Sequence, residues 1–219
     1  MTQLLLIRHG LNDWVGDRLA GWTPGVYLNE EGRRQAEALA QRLASLPIEA
    51  VYSSPLERAI ETAEVIAAPH GLKVQVREGI GETRYGEWTG RSMEDLAKLD
   101  IWTAIQFYPS GVRFPGGETM REVQARAVAE LEVIREAHPE ATVAAVSHAD
   151  VIKVAVAHYI GLPLDLFQRL VIQPGSLTIL HFGKGGPRLI RLNDAGPLEP
   201  CGDTIHRNGW SHETSDPRC

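Results

Sequence analysis

The sequence predicts an α/β fold, a three-layer α/β/α sandwich in which helices cover both faces of a mostly parallel sheet. Short apolar runs rich in β-branched residues alternate along the chain with longer segments of helical periodicity. This alternation is typical of parallel strands that are joined by crossover helices. The chain has 219 residues, of which 43% are apolar, and this is enough to bury one sizeable core.

Six apolar runs are predicted as strands. The last two flank the sequence GKGGP, which is typical of the turn of an antiparallel hairpin. We therefore expect a C-terminal hairpin beside the parallel strands, and a single domain over residues 1–193. The predicted strands are residues 4–7, 50–53, 73–76, 142–147, 176–182 and 188–192.

Three helices have recognisable start signals. Asn29, followed by two glutamates, predicts a helix to about residue 45. Ser54 is followed by a proline at the first helical position and by Glu57 at the capping-box position, and this predicts a second helix capped by Ser54. Ser92 with Asp95 predicts the start of a third.

Two further helices are predicted from their apolar stripes and their ends. The fourth ends near Pro139, and the fifth spans residues 150–160, where Gly161 and Pro163 stop it. The stripe of the fourth helix consists of Met120, Val123, Ala127, Leu131 and Ile134.

Charge and composition disfavour several classes of function. The net charge is −6 with no basic face, which argues against a nucleic-acid partner. The apolar runs are too short for a membrane span, and the first residues lack the pattern of a signal peptide. The two cysteines, Cys201 and Cys219, form no disulfide framework, so we expect a cytoplasmic protein. The proline-broken tail, residues 194–219, is expected either to be loosely ordered or to wrap the body.

Basic side chains follow three of the predicted strands. Arg8 and His9 come after the first strand, Arg58 lies just after the second, and His148 follows the fourth. Because ligands bind at the carboxyl ends of strands in an open α/β sheet, we expect these four side chains to form one site.

This grouping indicates phosphate chemistry. Guanidinium groups bind phosphate oxygens bidentately, and the start of the helix after Ser54 would point its amides at the same anion. Neighbouring positive charge keeps a histidine neutral and therefore nucleophilic. A proton donor is also needed, and Glu82 in the loop GETRYGEWTG can supply it. The residues alone leave Glu87, Asp13 and Asp150 open as alternatives.

These segments resemble the histidine phosphatase superfamily, also called the phosphoglycerate mutase-like family. The similar segments occur in the family's order and cover most of the chain. They are RHG at 8–10, AGWTPGVYLNEEGRRQA at 20–36, YSSPLERAIETA at 52–63, GETRYGEWTG at 81–90, FPGGET at 114–119 and VSHAD at 146–150.

The resemblance implies a catalytic domain that acts on a small phosphorylated metabolite without a metal or any other cofactor. It implies that His9 is phosphorylated, and that Arg8, Arg58 and His148 form the rest of the phosphate pocket. It implies that Glu82 donates the proton. In the phosphatases of the family water attacks the phosphohistidine, whereas in the mutases another hydroxyl does.

Departures from the family pattern favour a phosphatase over a glycolytic mutase. Asn12 stands where the family often has threonine, and it can still donate to phosphate. Val15 stands where the family often has asparagine, so a polar contact is lost there. The short span from residue 90 to 115 lacks the paired arginines that bind a carboxylate, which leaves Tyr85 and Arg113 as candidate substrate contacts. A phosphomutase and a non-catalytic phospholigand-binding module remain alternatives. The oligomeric state stays open, with a homodimer as one option.

Two patterns in the tail suggest other chemistries. CGDTIHR, residues 201–207, has the spacing of the cysteine-dependent phosphatases, but no apolar strand precedes it and no helix follows. His206 and His212 lack the further ligands of a metal site, so we expect solvated histidines and no metal.

Overall fold

The computed structural model describes residues 1–196 and contains one six-stranded sheet. Its strand order is β3-β2-β4-β1-β5-β6. The first four strands of the chain are mutually parallel, and β5 and β6 continue the sheet as an antiparallel hairpin. The strands are β1 (Thr2–Arg8), β2 (Ile48–Ser53), β3 (Val74–Val76), β4 (Thr142–Ser147), β5 (Leu177–Gly183) and β6 (Gly186–Asp194). All six predicted strands are confirmed to within two residues.

Four long helices cover the sheet, two on each face, which confirms the predicted three-layer architecture. Leu5 and Ile7 of β1 face the first two of these helices, while Leu4 and Leu6 face the last two, as the twofold alternation of a strand requires. The helices are α1 (Glu30–Leu43), α2 (Glu57–Ala67), α3 (Met93–Ala97), α4 (Asp100–Phe107), α5 (Met120–Ala137) and α6 (Ala149–Ile160). The pair α1 and α2 packs on one face, and α5 and α6 pack on the other.

Two of the three predicted N-caps, Asn29 and Ser92, are confirmed. Asn29 accepts a hydrogen bond from Gly32 N at the start of α1, and Ser92 accepts one from Asp95 N at the start of α3. At the start of α5 the structure adds a cap that was not predicted, since Thr119 forms a complete capping box with Glu122.

The predicted start of α2 is wrong. The helix begins at Glu57 with Leu56 as its N-cap, and no side chain caps it. Ser54 is fully buried, and its hydroxyl contacts His148, while the Glu57 carboxylate accepts a hydrogen bond from Gly25 N. Tertiary partners have therefore taken both side chains away from the local capping pattern.

A second apolar cluster lies outside the sheet. The segment with α3 and α4 packs on α5 and α6 through Trp88, Leu96, Ile105 and Phe114, all buried. The sequence did not predict α4, which starts without a side-chain cap. The cluster also includes Tyr85, which follows Glu82 in the loop GETRYGEWTG.

Within residues 1–196, no helix is both long and apolar enough to cross a membrane. Residues 194–196 of the predicted tail are described, and Asp194 is the last residue of β6. The rest of the tail, with Cys201, His206 and His212, lies outside the described part of the chain.

Candidate active site

The sheet places the ends of three strands side by side. In the order β2-β4-β1, Arg8 pairs with Ser147 and Ser53 pairs with Val146, so the residues that follow these strands are neighbours. His9 and His148 face each other across this edge with 5.1 Å between their ring centroids.

His9 is held in its neutral form. Its ring is 3% exposed, and its Nδ1 lies 2.7 Å from Gly10 O. Because a carbonyl only accepts, Nδ1 carries the proton and Nε2 of the neutral ring keeps its lone pair. Burial, and then the charges of Arg58 and Arg8, lower the pKa of His9 well below its ordinary value.

Three of the predicted site residues have buried side-chain nitrogen atoms without a hydrogen-bond partner among residues 1–196. These are Arg8 Nε, Arg58 Nη1 and Asn12 Nδ2. Each side chain is otherwise anchored: Arg8 donates to Ile172 O at 2.7 Å, Arg58 donates to Gly21 O at 2.9 Å, and Asn12 Oδ1 accepts from Trp14 N at 2.9 Å. Buried donors without partners are costly, and an anion with several acceptor oxygens would satisfy them.

His148 lies between the second arginine and the acid. Its Nδ1 is 3.5 Å from Arg58 Nη2 and 3.6 Å from Glu82 Oε2, and its Nε2 shares a 2.7 Å hydrogen bond with Ser54 Oγ. Burial, and then the charges of Arg58, His9 and Arg8, lower the pKa of His148 well below its ordinary value. Both histidines of the site are therefore neutral at physiological pH.

Among the four acids that the sequence left open, Glu82 is the one next to the histidines. Its Oε1 accepts from Thr83 N at 2.8 Å. Burial and the neighbouring Asp150 raise the pKa of Glu82 to about 7, although Arg58 and Arg8 act in the opposite direction. This carboxyl is thus protonated in a useful fraction near neutral pH, before any phosphate is considered.

Of the other three acids, two lie on the surface and the third adjoins Glu82. Asp13 is exposed and accepts from Asn29 Nδ2, and Glu87 is exposed. Asp150 accepts from Tyr85 OH at 3.3 Å and pairs with Lys153 at 3.4 Å.

The two candidate substrate contacts lie in different surroundings. Tyr85 is 5% exposed, stands edge-on to Phe114 and donates to Asp150. It therefore adjoins the cluster of side chains around His9 and His148. Arg113 is instead on the surface, where Gly117 O and the Glu122 carboxylate hold its guanidinium. Neither of these partners belongs to the cluster around the histidines.

The glycine after His9 is required by a close approach of two backbones. A Cβ at Gly10 would collide with Gly32 O in the first turn of α1, and a Cβ at Gly32 would collide with Leu11 O. Gly10 N also donates to the buried Thr62 Oγ1 on α2 at 3.1 Å. Two helices therefore fix the loop that carries the His9 acceptor.

The sequence did not identify Ser54 as the partner of His148, because its position before Pro55 predicts a cap. It also did not identify Trp22, whose Nε1 donates to Glu82 O at 2.6 Å. The only signal for Trp22 was its place in the segment at 20–36 that resembles the family.

Three proteins illustrate what the chain as a whole is similar to. Phosphoserine phosphatase 1 of Hydrogenobacter thermophilus is 31% identical over 198 residues, which are 88% of this chain and 92% of that protein. A probable phosphoglycerate mutase of Yersinia enterocolitica is 30% identical over 208 residues, covering 94% and 95%. A mutant phosphoserine phosphatase of Entamoeba histolytica in complex with phosphoserine matches with a TM-score of 0.81 at 27% identity, over 89% of this chain and 98% of that one.

A family model spans almost the whole described chain, from residue 4 to residue 195. The chain belongs to the histidine phosphatase superfamily, branch 1.

Proposed function

We propose that this protein is a phosphomonoester hydrolase that works without a metal, through a phosphohistidine at His9, on a small phosphorylated metabolite. The observation that carries the proposal is the set of unpartnered donors: those of Arg8 and Arg58, whose charges act on both neutral histidines, and that of Asn12, three residues after His9. These donors match the oxygens of one phosphoryl group, and His9 Nε2 matches its phosphorus as a nucleophile.

In the first step His9 Nε2 attacks phosphorus, and an N–P bond forms as the bond from phosphorus to the ester oxygen breaks. The leaving oxygen takes the proton of Glu82, so an alcohol departs and Glu82 becomes a carboxylate. Arg8, Arg58 and His148 hold the phosphoryl oxygens while negative charge moves among them.

In the second step a water molecule attacks the phosphohistidine. The Glu82 carboxylate takes a proton from this water, an O–P bond forms, and the N–P bond breaks. His9 is regenerated in its neutral form, inorganic phosphate is released, and Glu82 is again protonated. One carboxyl therefore serves as acid and then as base, for which a pKa of about 7 is suited.

The names of the relatives support hydrolysis, and one of them also supports the alternative of a phosphomutase. Phosphoserine phosphatases support the hydrolase, while the probable phosphoglycerate mutase favours a phosphomutase, in which a second hydroxyl replaces water. We place the activity in the cytoplasm, as the cysteine usage of the sequence favours. Cell fractionation with an antibody checks this location.

The test of the proposal is the removal of His9. We expect His9→Ala to lower kcat for p-nitrophenyl phosphate on the order of 1,000-fold or more, because the nucleophile is lost. With ³²P-labelled p-nitrophenyl phosphate, the wild type should also yield an acid-labile, base-stable phosphoprotein that His9→Ala does not form.

The matched control is His158→Ala, since His158 is an exposed histidine on α6. This variant should keep both turnover and labelling. Wild-type turnover by His9→Ala contradicts the proposal, and phosphate binding without a labelled protein favours the non-catalytic module. Assays with EDTA test the independence from metal, and recovery of label in an added alcohol rather than in inorganic phosphate identifies a mutase.

A further inference from the structure

One arginine of α5 holds the loop that carries Glu82. Arg126 Nη1 donates to Gly79 O at 2.9 Å and to Gly81 O at 2.7 Å, and its Nη2 donates to Glu82 O at 2.9 Å. The remaining two N–H groups bind the Glu118 carboxylate bidentately, at 2.8 and 3.0 Å. All five donors of this guanidinium are therefore used, and three of them bind the backbone of the acid loop.

Glu118 extends the hold to the other side of Glu82. Glu118 Oε2, which accepts from Arg126 Nη2, also accepts from Arg84 N at 2.8 Å. In the backbone, Glu118 N donates to Arg84 O at 2.9 Å. The side chains of Arg126 and Glu118 are only 22% and 15% exposed. A bidentate, largely buried pair of this kind is much more rigid than an ordinary surface ion pair.

The residues around the loop allow this close approach. A Cβ at Gly81 would lie 2.6 Å from the ring of Trp22, and a Cβ at Gly79 would collide with Glu130 of α5. Glycines at both positions thus let the helix and the indole reach the backbone carbonyls. Trp22 adds a second donor to Glu82 O, at 2.6 Å, and the Arg84 guanidinium lies 3.8 Å from its ring centroid.

We propose that Arg126, together with Glu118, is a positioning residue that fixes the backbone of Glu82 so that its carboxyl faces the leaving oxygen of the substrate. The inference rests on the proposed function, in which Glu82 protonates that oxygen. Lysine cannot replace Arg126 here, because an ammonium on a flexible stem cannot bind three carbonyls and a carboxylate in one plane.

The test compares two esters that differ in their need for a proton. Phenyl phosphate releases phenol, whose pKa is close to that of tyrosine, about 10, whereas p-nitrophenol is far more acidic and leaves without help. We expect Arg126→Lys to lower kcat/KM at least about tenfold for phenyl phosphate and less than about threefold for p-nitrophenyl phosphate. Glu118→Gln should change the ratio of the two constants in the same direction.

The matched control is Arg135→Lys, since Arg135 lies on the same helix and pairs with Glu132 and Glu136 instead. It should keep the wild-type ratio, and melting temperatures report the folding of every variant. If Arg126→Lys does not fold, Glu118→Gln decides alone. A ratio that stays at the wild-type value, or an equal loss on both esters, overturns the proposal.

Glu82→Gln separates this inference from the function on which it rests. In one outcome, Glu82→Gln loses more activity on phenyl phosphate than on p-nitrophenyl phosphate while Arg126→Lys and Glu118→Gln do not. That result overturns the positioning role and leaves the proposed function standing. A Glu82→Gln protein without this greater loss on phenyl phosphate overturns the proton-donor assignment, and the inference falls with it.

Discussion

At the scale of single residues, the site depends on environments that shift ionisation in opposite directions. His9 and His148 are buried beside Arg58, and both effects favour their neutral forms. Glu82 is buried beside Asp150, and both effects favour its protonated form. The same desolvation therefore favours a free lone pair on His9 Nε2 and a proton on Glu82.

The pKa of Glu82 sets the expected pH dependence. Because it is raised to about 7, the carboxyl is protonated below that pH and loses its proton above it. We expect kcat/KM for phenyl phosphate to fall up to about tenfold per pH unit above neutrality, since this constant reports the free enzyme. A pH–rate profile from pH 5 to pH 9 measures the fall.

The comparison variants are Glu82→Gln and Glu87→Gln. The first should be slow and should lack the alkaline fall, because the titrating group is gone. The second changes an exposed acid of the same loop and should keep the fall. An alkaline fall that persists in Glu82→Gln argues for another acid.

At the scale of elements, the close contact of α1 with the loop after β1 positions the nucleophile. Gly32 lies against Leu11, and Gly10, which supplies the His9 acceptor, lies against Gly32. A side chain at either position would push the first turn of α1 away from the loop. The glycine of the RHG segment is thus explained by packing between two backbones.

We predict that Gly32→Ala destabilises the protein although alanine favours helices. The collision with Leu11 should cost more than the gain of up to about 1 kcal/mol in helix propensity, for a net loss of about 1–2 kcal/mol. Urea unfolding measures the free energy, and kcat/KM should fall as well because the His9 loop moves. Gly185→Ala is the control, since a Cβ there has as its nearest neighbour the flexible end of Arg188 at 3.5 Å. Equal stabilities of the two variants would show that the contact is not tight.

At the scale of the whole molecule, the chain carries a net charge of −6, yet we propose that its site receives an anion. The local arrangement decides, because Arg8 at the end of β1 and Arg58 in the first turn of α2 are held near each other, with β4 between β1 and β2 in the sheet. Because these two arginines are buried, water and salt screen their attraction for an anion only weakly. Most of the acids lie on the solvated surface, where their charges are screened more strongly.

Inorganic phosphate should therefore stabilise the folded protein. At about 100 times its dissociation constant a ligand adds about 2.7 kcal/mol, which corresponds to several degrees in melting temperature for a domain of this size. Thermal unfolding in phosphate and in chloride at equal ionic strength measures the shift. Asn12→Ala, which removes one unpartnered donor, should reduce it, and Asp13→Ala beside it should not. A melting temperature that phosphate leaves unchanged would count against an anion site.

The sequence by itself determined the fold class, the six strands and the family, because these are written in short-range patterns. The apolar run of β1, the caps at Asn29 and Ser92 and the order of the motifs each involve a few neighbouring residues. It also pointed to Arg8, His9, Arg58 and His148, since strand ends can be located from local hydrophobicity and parallel strands bring them to one edge.

Only the tertiary structure decided which acid stands beside His148, that Ser54 serves the histidine rather than a helix, and that Arg113 lies apart from the cluster. It alone brought Arg126 to the acid loop, across 44 residues of chain. The physical reason is that such contacts depend on how distant elements dock. Docking is set by the shape and burial of many side chains at once, which no local pattern records.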